Sequence, residues 1–282
     1  MYILTFDIEE WFHILDHAPT KGEEQWGHYE SRLRANVDRL LDLLIVTKQP
    51  ATFFCLGWIA KKYPEVIKTI HNAGFEIASH SYMHQLVYEQ KPQAFQEDLR
   101  ASVGILESIT GRKVRAYRAP GFSIGNTMSW AFESMAACGI EIDSSVFPAP
   151  RTHGGFTGYG TAEPALIRTG GITIKEFPIN LGSVAGQKIV FSGGGYFRLF
   201  PLPVVIYLIK KSPYVMTYFH PRDFDAQQPI IPGLSTVRRF KSYYGLTTAF
   251  SRLKKILNQF SFVDIATAEK TIDWHAARVV SI

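Results

Sequence analysis

Residues 74–84 read GFEIASHSYMH, and this stretch decides the fold. Gly74 stops a helical pattern running from Pro64 to Ala73, and Phe75 to Ser79 is a short run suited to a buried strand. His80 and His84 follow directly on that strand. A helix that ends on glycine, feeds a strand and delivers polar residues at the strand's C-terminal end is the repeating unit of parallel α/β folds.

The same unit recurs on both sides. Upstream, Tyr2 to Phe6 predicts a first strand and Ala51 to Leu56 a second. Between them, after a loop rich in histidine, glycine and acidic residues, Leu33, Val37, Leu40, Leu41 and Leu44 fall at helical spacing. Downstream, helices over Phe95 to Ile109 and Thr127 to Cys138 stop at Gly111 and Gly139, each followed by a strand, Val114 to Tyr117 and Ile140 to Ile142. The stretch after residue 143 differs. Leu166 to Thr169 and Ile172 to Phe177 flank Gly170 and Gly171, which predicts an inserted β-hairpin. Ser192 to Gly195 reads as a flexible loop, 201–211 as a helix and Tyr214 to Phe219 as a buried strand. Leu246 to Phe260 reads as a basic amphipathic helix packed on the exterior, before a last strand at Phe262 to Ile265. The expectation is a single α/β domain over residues 1–282, elaborated from about residue 180 to 282.

Composition narrows the class. The chain has 282 residues, which suits either two domains of about 150 residues or one α/β barrel. Apolar residues make up 46% and charged residues 20%, values of an ordinary globular protein that set aside fibrous and disordered readings. A net charge of +5 suits an anionic polymer but lacks the clustered basic stripe of a nucleic-acid binder. Cys55 and Cys138 are the only cysteines, without the spacing of a zinc or redox motif, and are expected to be buried thiols. The N-terminus reads MYILTFDIEEWF, with no secretory signal pattern, and no apolar run reaches the roughly 20 residues of a membrane span. A soluble, cytoplasmic protein is expected.

Several polar residues stand immediately after predicted strands. Asp7 follows YILTF, His80 follows FEIAS, Arg118 follows VRAY, Asp143 follows IEI and His220 follows YVMTYF. In parallel α/β folds these strand ends converge on one face, where active sites are built. His80 and His84, four apart, would lie on the same side of one helical turn and clamp a single metal ion. A third ligand, often a carboxylate, is expected from TFDIEEW. Asp7 and Glu9 differ by two and point the same way from a strand, so one can bind metal and the other act as base, while Ile8 and Glu10 point the other way. Arg118, in RAPGF, can grip a catalytic carboxylate or simply bridge two loops. His220 is placed as a proton donor or as a buried structural histidine. Asp143, in DSSVFP, either caps a turn or orients His220 or Arg118. Aromatic residues at 11, 12, 26, 196 and 197 can stack on sugars or anchor loops, and His13, His17 and His28 receive no role.

The set TFD, SHxxxH, RAPG and a strand-end histidine resembles the NodB-homology polysaccharide deacetylases, carbohydrate esterase family 4, over nearly the whole chain. DIEEWFH at 7–13, GGGYFRLFP at 193–201 and YFHPRDFDAQQP at 218–229 are similar to the branch found in exopolysaccharide and surface-glycan biosynthesis loci. The resemblance implies a distorted (β/α)7-type barrel and a divalent metal, usually zinc. Residue by residue, Asp7 matches the catalytic base, His80 and His84 the metal ligands, Arg118 the residue that orients the base, and His220 the general acid. Many relatives carry two consecutive aspartates in the first motif, the second binding metal; this chain has Ile8 there, and Glu9 becomes the substitute ligand. Tyr218 replaces the leucine two residues before the general-acid histidine, so the acetyl pocket is expected to differ in shape.

The expected activity is metal-assisted hydrolysis of N-acetyl groups on amino sugars of a polysaccharide or glycan precursor. Three rivals use the same residues. A C–N hydrolase of a small cyclic amide would accompany the altered first motif. A glycosidase would use Asp7 with Glu9 or Glu10 as its carboxylate pair but leaves the histidines unexplained. A non-catalytic glycan-binding homologue would have kept the fold and lost the metal.

Overall fold

Local punctuation does what it predicts around residues 64–79. Proline opens the helix Pro64–Asn72, and Gly74, at φ +88°, turns the chain into the strand Glu76–Ser79. The computed structural model describes residues 1–151, 153–184 and 186–282. It divides into two compact units, each made of two stretches: Met1–Ala51 with Leu181–Val263, and Thr52–Asn180 with Asp264–Ile282.

The second unit holds a mostly parallel sheet. Its strands lie in the order Val279–Ser281, Ala165–Thr169, Ile172–Glu176, Ile142–Asp143, Ala116–Tyr117, Glu76–Ser79, Thr52–Cys55. Thr52 pairs with Glu76 and Cys55 with Ser79 in parallel register, and Tyr117 pairs with both Ser79 and Asp143. The hairpin closes as expected, with Thr169 opposite Ile172 across two glycines at φ +53° and +81°. It is a member of the main sheet, since Ile172–Glu176 also pairs parallel with Ile142–Asp143. The helix Pro92–Thr110 buries Phe95, Leu99, Val103 and Leu106 along one stripe and packs on the helices Gly57–Lys62, Pro64–Asn72 and Ser129–Ala137.

In the first unit, Tyr2–Ile3 pairs parallel with Val215–Met216, and single parallel bridges join Phe6 to Phe219 and Gly193 to Tyr218. The strand Thr5–Ile8 is wholly buried. The helix Leu33–Thr47 buries Leu33, Val37, Leu40, Leu41 and Leu44, the residues its spacing marks. The helix Leu246–Gln259 buries Leu253 and Leu257 and packs on the turn Pro221–Phe224. No described helix is long and apolar enough to cross a membrane.

Four local expectations are corrected. The loop at Ser192 to Gly195 is the start of the helix Gly194–Leu199. Glycine there serves close approach: a Cβ on Gly193 would stand 2.3 Å from the Tyr218 carbonyl oxygen. The strand at Phe262 to Ile265 reduces to a bridge from Val263 to Ile3, because Asp264 caps the helix Ile265–Thr271 by accepting from the Thr267 amide at 2.8 Å. The helix Thr236–Tyr243 is not announced by the sequence, since it buries no residue. Cys138 is only half-buried, whereas Cys55 is in the core.

Candidate active site

In the first unit the site grows from one strand end and one turn. The Asp7 amide donates to the Phe219 carbonyl at 2.7 Å, which ties the strand Thr5–Ile8 to the segment carrying His220. Asp7 and Glu9 then reach the same imidazole: His220 Nε2 lies 3.8 Å from Asp7 Oδ2 and 3.6 Å from Glu9 Oε1. Ile8 is buried in the core. Glu10 turns the other way and accepts from Ser31 Oγ and, at 3.2 and 3.3 Å, from the amides of Arg32 and Leu33. It thereby satisfies the first turn of the helix Leu33–Thr47, and its pKa is raised by burial against those hydrogen bonds. The two-residue repeat of an extended chain separates the acidic residues into two jobs.

The other ring nitrogen of His220 meets a residue that sequence reasoning missed. Asp223 Oδ2 accepts from both His220 Nδ1 and the His220 amide at 2.9 Å. Pro221 at the start of the turn Pro221–Phe224 sets this geometry, folding a carboxylate three residues on back over the histidine. Asp223 Oδ1 accepts from the buried Arg198 at 3.3 Å. Burial opposes the charge on His220, but Glu9, Asp223 and Asp7 outweigh it and push its pKa up to about 9. Burial likewise opposes the Asp223 carboxylate, and His220 and Arg198 hold its pKa below the usual range. The signal in the sequence was HPRD, an acid three residues after a strand-end histidine with proline between.

In the second unit His80 directly follows the strand Glu76–Ser79 and is buried. Its Nδ1 donates to the Arg118 carbonyl at 2.8 Å, so Nε2 is the lone-pair nitrogen. The His80 and His84 rings are 5.4 Å apart between centroids. They are not carried by a helical turn as the spacing suggested. Asp98 accepts the Tyr82 and Met83 amides at 2.7 and 3.0 Å, and Ser81 and His84 take φ of +69° and +54°, which bends the segment into a tight loop. The His84 amide closes it on Ser81 Oγ at 3.1 Å.

Arg118 is fully buried, with its guanidinium 4.1 Å over the Phe54 ring and Nη2 donating to Ser144 Oγ at 3.0 Å. Asp143 accepts from Ser145 Oγ at 2.5 Å and stands opposite Glu176 in the sheet register. Burial raises the pKa of both, more strongly at Glu176, where the Asp143 charge adds to it. The carboxylate on His220 Nδ1 is therefore that of Asp223 and not Asp143. His17 Nε2 meets the Pro232 carbonyl at 2.9 Å, and Trp11, Phe12, Trp26 and Phe197 are core anchors, whereas Tyr196 is 45% exposed.

Comparison with known proteins agrees with the fold. Residues 3–141 match the family model "Polysaccharide deacetylase", and residues 144–270 match a domain of unknown function, DUF3473. The peptidoglycan-N-acetylglucosamine deacetylase of Bacillus cereus is 31% identical over 34% of this chain and 35% of its own length. The peptidoglycan deacetylase of Helicobacter pylori is 28% identical over 66% of this chain and 61% of its own. The chain thus spans less than two thirds of the length of either curated relative. A crystal structure from Mycobacterium smegmatis, assigned to the polysaccharide deacetylases, superposes with a TM-score of 0.67 at 18% identity, covering 100% of this chain and 92% of that one, and so shares the fold. An α/β fold with a mostly parallel sheet and strand-end histidines thus agrees with the match of residues 3–141 to the polysaccharide deacetylases.

Proposed function

We propose that this chain is a metal-dependent hydrolase that removes N-acetyl groups from amino sugars of a polysaccharide or glycan precursor, within the exopolysaccharide and surface-glycan branch of its family. The observation that carries the reading is His220, half-buried between Asp223 on Nδ1 and the carboxylates of Asp7 and Glu9 on its Nε2 side, which keep it protonated. A protonated imidazole beside a carboxylate base suits amide hydrolysis, where water must lose a proton and an amine must gain one to depart.

His80, His84 and Glu9 are the proposed metal ligands. Two imidazoles and a carboxylate suit zinc, and the tie from His80 Nδ1 to a carbonyl is the outer support such ligands ordinarily have. A divalent cation held there supplies Lewis acidity toward the acetamide carbonyl and lowers the pKa of water. Asp7 takes the proton of the attacking water. His220 donates its Nε2 proton to the departing nitrogen, and Asp223 holds the ring in position through Nδ1. Arg118 is the residue that orients Asp7 in this reading. Asp143 acts through the Ser144 segment to which Arg118 donates, as a positioning residue. The single catalytic domain and the (β/α)7-type barrel implied by the resemblance belong to the same proposal.

Acetate release from N-acetylated oligosaccharides by zinc-loaded protein is the test. Asp7→Asn is expected to abolish turnover while retaining metal, and His80→Ala to lose both. Acetate release by Asp7→Asn close to that of the parent overturns the base assignment. Cleavage of small cyclic imides in place of acetate release overturns the substrate class.

A further inference from the structure

Beside His220, within the first unit, opens a cavity of about 280 Å³, and of its charged lining Arg222, Arg238 and Lys241 take no part in the proposed chemistry. Besides the protonated His220, four cations line it, Arg198, Arg222, Arg238 and Lys241, against two carboxylates, Glu9 and Asp223. Two of the cations are committed. Arg198 is held by Asp223 and by the Lys241 carbonyl at 3.1 Å, and Arg238 donates to the carbonyls of Leu15 and Asp16. Arg222 is different: its Nη2 is sealed from solvent and has no hydrogen-bond partner among the described residues. Lys241 is exposed on the rim. A guanidinium nitrogen sealed from water without an acceptor is unfavourable, and burial lowers the pKa of Arg222 against the nearby charges of Asp223 and Glu9. Its planar fork suits a carboxylate or phosphate. Around it the rim is aromatic. Tyr196, Phe240 and Tyr244 are 45%, 51% and 48% exposed, and the last two rings sit 4.8 Å apart, flat surfaces of the kind on which the C–H face of a pyranose packs.

We propose that this cavity selects an anionic glycan: a carboxylate or phosphate carried beside the N-acetylated sugar pairs with Arg222, and Lys241 draws it in from the rim. The inference rests on the N-deacetylase reading of the adjoining site and names its substrate class. The two sources of negative charge are separated by the choice of substrate.

Acetate release is measured on neutral chitotetraose, on a hyaluronan tetrasaccharide that carries glucuronate, and on UDP-N-acetylglucosamine that carries a diphosphate. The parent protein should favour one anionic substrate over the neutral one in kcat/KM by about tenfold, the scale of one charge-assisted pair. Arg222→Met should bring that ratio near one, Arg222→Lys should retain part of it, and Lys241→Met should weaken its dependence on salt. Equal kcat/KM on neutral and anionic substrates in the parent overturns the inference, as does an equal loss on all three in Arg222→Met. Absence of acetate release from every substrate defeats the deacetylase reading instead. Calorimetric binding of the same three compounds to Asp7→Asn protein then decides the anion site alone: a preference for an anionic compound that disappears with Arg222→Met supports it, and equal binding overturns it.

Discussion

Replacing Asp223 with asparagine keeps the side chain's volume and removes its charge, and the surrounding donors make the consequence calculable. Oδ2 serves the His220 amide and Nδ1, both at 2.9 Å, while Oδ1 serves Arg198 at 3.3 Å. An amide has one oxygen, so in either orientation its NH2 faces a donor. One charge-assisted hydrogen bond in buried surroundings is lost, about 1.5–3 kcal/mol. At about 2–4 °C per kcal/mol for a chain of this size, the melting temperature should fall by roughly 3–12 °C. The kinetic cost is separate. Without the carboxylate the hold on Nδ1–H that aims Nε2 is reduced to a neutral amide oxygen, or lost where the NH2 faces the ring, and a positioned general acid contributes about 10²–10⁴ in rate. With zinc-loaded protein assayed well below its melting temperature, kcat for acetate release should fall by about a hundredfold or more, with KM within about threefold. In a His220→Ala background the same substitution should cost only about twofold, because the two residues act as one unit. A folded Asp223→Asn protein with kcat near the parent's, or a full additional loss in the His220→Ala background, would refute the reasoning.

Two further expectations concern stability. Glu76 accepts from Thr52 Oγ1 at 2.5 Å and from the Ala266 amide at 3.1 Å, yet burial pushes its pKa from 4.5 up to about 7. The folded state then binds more protons across that window, so this contribution is complete below about pH 4.5 and is lost as pH rises through about 7. Glu76→Gln should flatten the decline, read as the difference between urea midpoints at pH 5 and pH 8; an unchanged difference removes Glu76 as its cause. Gly193→Ala would press a methyl group 2.3 Å from the Tyr218 carbonyl, with backbone that cannot swing aside. Overpacking of about 1–3 kcal/mol is expected, and a calorimetric melting temperature equal to the parent's would contradict it.

Much of the fold was legible because its signals are local. Proline at the start and glycine at the end bracket the helix Pro64–Asn72, and the paired glycines at 170 and 171 set the hairpin register through their own backbone freedom. Legibility failed where a distant group overrides a local pattern. Four-residue spacing in SHSYMH suits a helical turn, but the His84 amide that such a turn would give to the His80 carbonyl goes to Ser81 Oγ, while Asp98 holds the Tyr82 and Met83 amides and Ser81 and His84 take left-handed geometry. Val263 sits in an apolar run that reads as a strand, yet Asp264 beside it captures the Thr267 amide and starts a helix.

The carboxylates near the N-terminus show the division most clearly. Chain geometry alone sends Asp7 and Glu9 to one side of the strand and Glu10 to the other, since alternate residues of an extended backbone point oppositely whatever surrounds them. What each acid meets was decided by tertiary structure. Glu10 became the support of a helix terminus at Ser31 to Leu33, and the place on His220 Nδ1 went to Asp223 with Arg198 behind it, while Asp143 was left facing Glu176. A hydrogen bond is a property of two groups brought within reach, and here the second group comes from another part of the chain, where no pattern in the first can record it.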